Sequence, residues 1–152
     1  MLDAGPLVLL LGGTLRPDKV GTGRRFGKYN KPMYDRLLAE VNGALGHISL
    51  PNILTEASNH LGSGKQEYVD GGAEALAAYA KSLEELYLPS ERVVEEAVYC
   101  KVGLTDAAIF SCRARLVQDR VRVYTEDFEL YQRLCSANVD CVNIMHWRTP
   151  SR

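Results

Sequence analysis

The sequence predicts an α/β domain with a mainly parallel sheet, because short strand-like segments alternate with longer helical ones. The strand-like segments are rich in β-branched residues, as in the run at residues 121–124. The helical segments repeat apolar residues every three or four positions, as in residues 32–44. The 152 residues, of which 46% are apolar and 24% charged, are typical of one globular domain, here residues 1–152.

Composition also limits the compartment and the partners. The formal net charge of −1 gives no overall attraction to nucleic acid or membrane, so a polyanionic partner needs a local basic patch. The apolar run at residues 7–11 is too short to span a bilayer and lacks the basic segment of a signal peptide. The four cysteines include no Cys-x-x-Cys pair, so we expect reduced thiols and a cytoplasmic protein.

The chain is predicted to begin with a very short strand at residues 1–3, followed by a helix. Pro6 suits the first turn of a helix, because its missing N–H is not needed there. The apolar run at residues 7–11 is then a short buried helix that ends at Gly12 and Gly13. Periodicity alone does not exclude a buried strand at this position.

Residues 14–31 are predicted to form a loop rich in glycine and basic residues. Its glycines do not follow the spacing of a phosphate-binding loop, and no clear strand leads into it. A solvated loop and a basic arm that contacts nucleic-acid phosphates both remain open. The candidate phosphate contacts are Arg24, Arg25, Lys28 and Lys31, while Phe26 and Tyr29 are candidates for stacking on bases or for packing in the core.

The middle of the chain is predicted to be mainly helical. Its elements are a helix over residues 32–44, a strand or connector over 47–50, a helix over 51–61, a turn over 63–65 and a long helix over 73–86. Pro51 opens the second helix, and Pro89 ends the segment that contains the third. Glu56 and Asn59 are neighbours on the second helix, where they face either solvent or a site.

The C-terminal third contains two helix starts, each with an acid near its beginning. The predicted elements are a helix over residues 90–98, a helix capped by Thr105, a strand over 121–124, a helix capped by Thr125 and a last strand over 141–145. Asp106 and Asp127 are either ordinary helix-start acids, which favour the positive end of a helix, or parts of a site.

The position of the acids relative to the sheet favours a site. In a parallel sheet, ligands gather beyond the carboxyl ends of the strands, where Asp3 and Asp127 both lie. Asp106 and Glu56 lie on helices that can lean over the same edge. Four neighbouring carboxylates raise one another's pKa, and a bound Mg²⁺ or Mn²⁺ ion removes that repulsion. Such an ion can activate water for attack on a phosphodiester. The histidines, which show no ligand-like spacing, are expected to be structural or exposed: His47, His60 and His146.

The order of these segments resembles the PIN domains, metal-dependent ribonucleases that include the toxin halves of bacterial toxin–antitoxin pairs. The resemblance covers most of the chain. The similar segments are LDAGPLVLLL (first strand, acid and short helix), LPNILTEASNHL (helix with the second acid), GLTDAAI (third acid), VYTEDFELYQRL (Thr-x-Asp and the last helix) and DCVNIM (final strand). None of these segments is specific alone, and it is their order that carries the resemblance.

The resemblance implies a three-layer α/β/α domain with a central, mainly parallel sheet. It implies a Mg²⁺- or Mn²⁺-dependent endoribonuclease that cuts single-stranded RNA or RNA loops. The residues that match the family's acids are Asp3, Glu56, Asp106 and Asp127, Thr125 matches the hydroxyl residue that supports the site, and Glu126 lies outside the pattern. Two features differ from the family: the first strand is nearly absent, and the basic loop is longer than in its smallest members.

The resemblance also implies partners. Family members commonly dimerise, and the apolar helix faces at residues 37–45 and 53–61 are candidate homodimer interfaces. A cognate antitoxin protein, if one exists, is expected to insert a segment into the acidic pocket.

Two other functions remain open. One is a phosphatase or phosphotransferase that uses Asp3 as a nucleophile, although no second acid follows two positions on. The other is a catalytically inactive PIN-like module that binds RNA or protein. Clustered carboxylates without a metal cost free energy of folding, which argues against the inactive binding module.

Overall fold

The computed structural model describes residues 1–62 and 68–148, so the turn predicted at residues 63–65 lies outside the described part. The mixed α/β class is confirmed. In chain order the elements are α1 (Ala4–Leu15), a 3₁₀ helix (Pro17–Lys19), α2 (Gly23–Phe26), α3 (Lys31–Asn42), β1 (Ile48–Ser49), α4 (Pro51–Leu61), α5 (Gly72–Lys81), β2 (Glu84–Glu85), α6 (Ser90–Val93), α7 (Tyr99–Ser111), α8 (Arg113–Gln118), β3 (Val123–Thr125), α9 (Phe128–Ser136), β4 (Cys141–Asn143) and a 3₁₀ helix (Ile144–Trp147). None of the helices in these ranges is both long and apolar enough to cross a bilayer.

The described strands form two separate parallel pairs, β1 with β2 and β3 with β4. The predicted first strand is reduced to a single parallel bridge between Leu2 and Tyr124. The backbone N–H of Asp3 also donates to the carbonyl of Tyr124 at 2.9 Å. The start of the chain therefore lies beside β3, and Asp3 falls where β3 ends.

Helix α1 is longer than predicted, because Gly12 and Gly13 do not end it. It begins after Asp3 and continues through both glycines. A Cβ atom at Gly12 would lie 2.4 Å from the ring of Phe26, and one at Gly13 would lie 2.5 Å from the ring of Tyr34. The two glycines therefore serve close packing of aromatic rings against the helix.

The basic segment at residues 14–31 is more ordered than a simple loop, since it contains a 3₁₀ helix and α2. The side chains of Phe26 and Tyr29 are only 7% and 5% exposed. Both rings pack in the core, so of the two predicted alternatives the packing in the core is confirmed. Their burial holds Lys28, which lies between them in the sequence, close to the body of the domain.

Helix α1 lies at the centre of the core, where it contacts α3, α4 and α5. The side chains of Leu37, Ile53 and Leu61, on the helix faces predicted as dimer interfaces, are 0% exposed. They pack inside the chain itself and do not present a surface to a second copy. Homodimerisation itself stays a prediction.

Two predicted helices end early for reasons of tertiary structure. The helix predicted over residues 73–86 ends with α5 at Lys81, because the following residues form β2 and pair with β1. The helix predicted over residues 90–98 is the single turn α6. The last predicted strand also ends early, at Asn143. The Oδ1 atom of Asn143 accepts a hydrogen bond from the N–H of Met145, and a 3₁₀ helix begins there.

Helix α7 carries one of the candidate acids and is interrupted at Gly103. The φ and ψ angles of Gly103 are 83° and 179°, a backbone conformation that residues other than glycine rarely adopt. The helix resumes directly after it, and Thr105 does not cap it. The interruption changes the direction of the helix just before Asp106.

Candidate functional site

A cavity of about 790 Å³ collects acidic side chains from distant parts of the chain. The carboxylates that line it are Asp3, Glu56, Asp106, Glu126 and Asp127. They come from the start of α1, from α4, from α7 and from the connection between β3 and α9. The four acids predicted to converge therefore do line one cavity, together with one acid that the prediction left out. Their role as metal ligands stays a prediction.

Asp3 is the most rigidly held of these acids. Its Oδ1 atom accepts a hydrogen bond of 2.7 Å from the N–H of Ala4, and its Oδ2 atom accepts one of 2.7 Å from the hydroxyl of Thr125. Burial raises the pKa of the Asp3 carboxyl to about 6, although the two hydrogen bonds lower it and the nearby Glu56 and Glu126 carboxylates raise it slightly further. Asp3 is thus a buried carboxylate whose orientation is set by α1 and β3.

Thr125 links two of the acids and is fully buried at the end of β3. Its hydroxyl donates to Asp3 and accepts a hydrogen bond of 3.0 Å from the N–H of Asp127. The prediction that Thr125 caps α9 is wrong, because its hydroxyl is used by Asp3. The cap is Asp127, whose Oδ1 atom accepts a hydrogen bond of 2.7 Å from the N–H of Leu130. Asp127 is therefore a helix-start acid that also lines the cavity.

Asp106 differs from the other acids because its half-buried carboxylate is unpaired. Within residues 1–62 and 68–148, no group donates a hydrogen bond to it or forms an ion pair with it. The pKa of the Asp106 carboxyl is raised to about 7, mainly by burial and then by the negative charges of Asp3, Asp127 and Glu56. Asp106 therefore interacts electrostatically with all three of the other predicted acids.

Glu56 lies exposed on α4 and accepts a hydrogen bond from the hydroxyl of Thr105 on α7. This contact replaces the predicted cap: Thr105 joins two helices that each carry an acid. Asn59, the neighbour of Glu56, is exposed and is not among the residues that line the cavity. His60 does line it.

Glu126 is the site residue that the sequence prediction missed. Its carboxylate accepts a hydrogen bond of 2.5 Å from the hydroxyl of Tyr29 and forms an ion pair of 2.6 Å with Lys28. It lies so close to Gly5 that a Cβ atom there would be 2.5 Å from the carboxyl group. Burial, and then the Glu126 charge, raise the pKa of the Tyr29 hydroxyl well above its usual range. The sequence feature that could have indicated Glu126 as a site residue is its position between Thr125 and Asp127.

The basic segment reaches the cavity with three of its four predicted contacts. Arg24, Arg25 and Lys28 line the cavity, and Arg24 makes no hydrogen bond or ion pair with any described residue. Arg25 lies over the ring of Tyr68 at 4.2 Å. Lys31 forms an ion pair with Asp35 one turn along α3 and does not line the cavity, so its contact with a phosphate stays a prediction.

The donor chemistry of the cavity fits a hard divalent cation, since carboxylate oxygens are the ligands that Mg²⁺ and Mn²⁺ prefer. The side chains share the cavity without forming a compact ligand set: among the described residues, no group of three or more Asp, Glu, His or Cys residues is arranged to hold a metal ion. The unpaired carboxylate of Asp106 is the group that a cation would satisfy. Comparison with known proteins assigns no family, since no family model, no curated protein and no solved structure matches the chain.

Proposed function

We propose that this chain is a Mg²⁺- or Mn²⁺-dependent endoribonuclease of the PIN-domain type. The observation that carries the proposal is the half-buried Asp106 carboxylate, which shares one cavity with other acids and has no partner in residues 1–62 and 68–148. Charged groups gathered in this way repel one another, and a divalent cation turns the repulsion into attraction. The proposed ligands are Asp3, Glu56, Asp106 and Asp127.

The proposal extends to the fold, as a three-layer α/β/α domain with a central parallel sheet. Both strand pairs are parallel, as such a sheet requires. The bridge from Leu2 and the pairing of Val142 both involve Tyr124, so β3 lies between the start of the chain and β4. In this order β3 is the central one of three neighbouring segments, and Asp3 and Thr125 meet at its end.

Each side chain of the cavity has a definite task in this proposal. A bound divalent cation would supply a more acidic water and neutralise charge on the phosphodiester. Asp3, Glu56 and Asp106 would hold the cation directly or through water. The Thr125 hydroxyl keeps the Asp3 carboxylate in one orientation. Asp127 uses only Oδ1 to cap α9, so its other oxygen is available to complete the ligand shell or to orient the attacking water.

Basic side chains that line the same cavity as the acids bind the phosphates of the substrate. Arg24 has no partner among the described residues and can meet a phosphate directly. Lys28 is held in place by Glu126 and presents its remaining N–H groups to the same cavity. These cations offset part of the negative charge of the acids, and a bound divalent cation would offset more of it, so that a phosphodiester could enter the cavity.

Cleavage of a mixed RNA pool tests the proposal. The wild-type chain should cut RNA with Mg²⁺ or Mn²⁺ and stop when a chelator is added. Asp106→Asn should lower the rate by roughly 100-fold or more while the protein stays folded, because the amide keeps the shape and loses the charge. The matched control is Asp140→Asn, whose exposed carboxylate pairs with Arg122 outside the cavity.

Three results would contradict the proposal. A folded Asp106→Asn protein that cuts RNA at the wild-type rate would exclude Asp106 from the reaction. Wild-type activity that survives a chelator would exclude the metal. A folded wild-type protein that cuts no RNA at millimolar Mn²⁺ would favour a binding module without turnover.

A further inference from the structure

Three aromatic rings pack on one another at the protein surface, outside the core. The ring centroids are 6.2 Å apart for Phe128 and Tyr131, 6.4 Å for Phe128 and His146, and 5.2 Å for Tyr131 and His146. Phe128 is 56% exposed, and His146 is exposed as well. We call Phe128, Tyr131 and His146 the ring cluster. An exposed apolar ring held against two others is typical of a binding surface.

Two residues of the ring cluster are joined through the backbone to residues of the acidic cavity. Phe128 follows Asp127, and His146 follows Met145, and both of these preceding residues line the cavity. Their backbones are anchored, because Asp127 caps α9 and the Asn143 side chain accepts a hydrogen bond of 2.9 Å from the N–H of Met145. The rings therefore keep a constant place relative to the carboxylates.

The charge around the cavity indicates what the ring cluster can bind. Arg24, Arg25 and Lys28 place positive charge in the cavity, where a phosphate can pair with it. The ring cluster offers flat aromatic faces, and among the described residues no Lys or Arg side chain lies over them. The neighbouring Glu129 is paired with Arg133 at 2.5 Å, so it does not attract a cationic ligand strongly. A nucleotide presents both groups at once, an anionic phosphate and a flat base.

We propose that the ring cluster stacks an unpaired base of a single-stranded nucleic acid whose phosphodiester occupies the acidic cavity. This inference rests on the proposed ribonuclease function and assigns residues that contact a base of its substrate. Base faces are free for stacking in single strands and loops, but they are covered in a duplex. The ring cluster thus selects for unpaired nucleotides next to the cleaved bond.

Binding of labelled oligonucleotides tests the inference, measured by fluorescence anisotropy in Ca²⁺ before any strand is cut, so that a cation offsets the charge of the acids. The probes are a single-stranded RNA of about ten nucleotides, its duplex form, and an abasic strand with the same phosphates. Phe128→Ala should weaken binding of the single strand about tenfold and leave binding of the abasic strand unchanged. Tyr87→Ala is the matched control, since Tyr87 is 74% exposed and does not line the cavity.

The outcomes separate this inference from the proposed function. If wild type cuts RNA but Phe128→Ala binds the single strand as tightly as wild type, the ring cluster has no role in binding and the inference fails alone. If base-dependent binding is lost in Phe128→Ala but wild type cuts no RNA, the inference holds and the ribonuclease fails. If Phe128→Ala changes the oligomeric state on size exclusion and leaves binding unchanged, the ring cluster is an interface between copies and the inference is overturned.

Discussion

The hydroxyl of Thr125 donates a hydrogen bond of 2.7 Å to the Oδ2 atom of Asp3, although the two residues are 122 positions apart in sequence. Both side chains are buried, and the same hydroxyl accepts a hydrogen bond from the N–H of Asp127. One small side chain therefore joins the start of α1, the end of β3 and the start of α9. The candidate site depends on this junction, because it orients one acid and positions a second.

Thr125→Val should destabilise the protein. Valine keeps the volume but removes the donor, so a buried oxygen of Asp3 loses its partner, which costs roughly 1–3 kcal/mol. Urea unfolding measures the loss. Thr125→Ser should restore most of the stability, and Thr55→Val on the exposed face of α4 should change it by less than about 0.5 kcal/mol. Equal stability of wild type and Thr125→Val would show that the hydrogen bond contributes nothing.

The free energy of unfolding should fall as pH rises from about 4 to 8 in chelator. The pKa values of the Asp3 and Asp106 carboxyls are raised from 3.8 to about 6 and about 7 in the folded chain. Between the ordinary and the raised values the folded state binds more protons than the unfolded state, so stability is lost as pH increases through this window.

Asp106→Asn should remove part of this pH dependence. Without its charge the variant should be more stable than wild type by about 1–2 kcal/mol near pH 8, after allowance for solvent screening of a half-buried group, and similar near pH 4. Urea unfolding at several pH values in chelator provides the measurement. A variant that is less stable than wild type near pH 8 would show that the Asp106 charge is compensated.

Divalent cations should raise the melting temperature of the wild type. A cation that binds only the folded state at 100 times its Kd stabilises it by about 2.7 kcal/mol. Asp106→Asn should respond much less to Mn²⁺ or Mg²⁺, whereas Asp140→Asn should respond as wild type does, because its carboxylate lies outside the cavity. Thermal scans with Mn²⁺, Mg²⁺ or chelator measure this, and an equal response of both variants would count against a cation at these acids.

Glu126→Ala should loosen the basic segment. The carboxylate of Glu126 binds the side chains of Lys28 and Tyr29, which tie residues 14–31 to the cavity. Hydrogen exchange of the Tyr29 amide, which is bonded to the carbonyl of Phe26 at 3.1 Å, should become faster in the variant. Glu91→Ala on α6 is the control. Unchanged exchange would mean that burial of the aromatic rings alone holds the segment.

Some elements were predictable because neighbouring residues decide them. Helix α4 begins at Pro51 and ends at Leu61 as predicted, since the proline sets the first turn and the apolar spacing continues to the last residue. By contrast, Gly12 and Gly13 do not end α1, since rings from residues far along the chain pack on them.

Residue type and short-range spacing were enough to predict the alternation of helices with short strands, four of the five acids that line the cavity and three of its basic residues. They could not predict that Glu126 lies against Gly5, that Lys31 pairs with Asp35 or that Asp106 has no partner among the described residues. Burial and hydrogen-bond pairing depend on contacts between segments that are distant in the sequence. Local helix and strand propensities do not describe such long-range contacts.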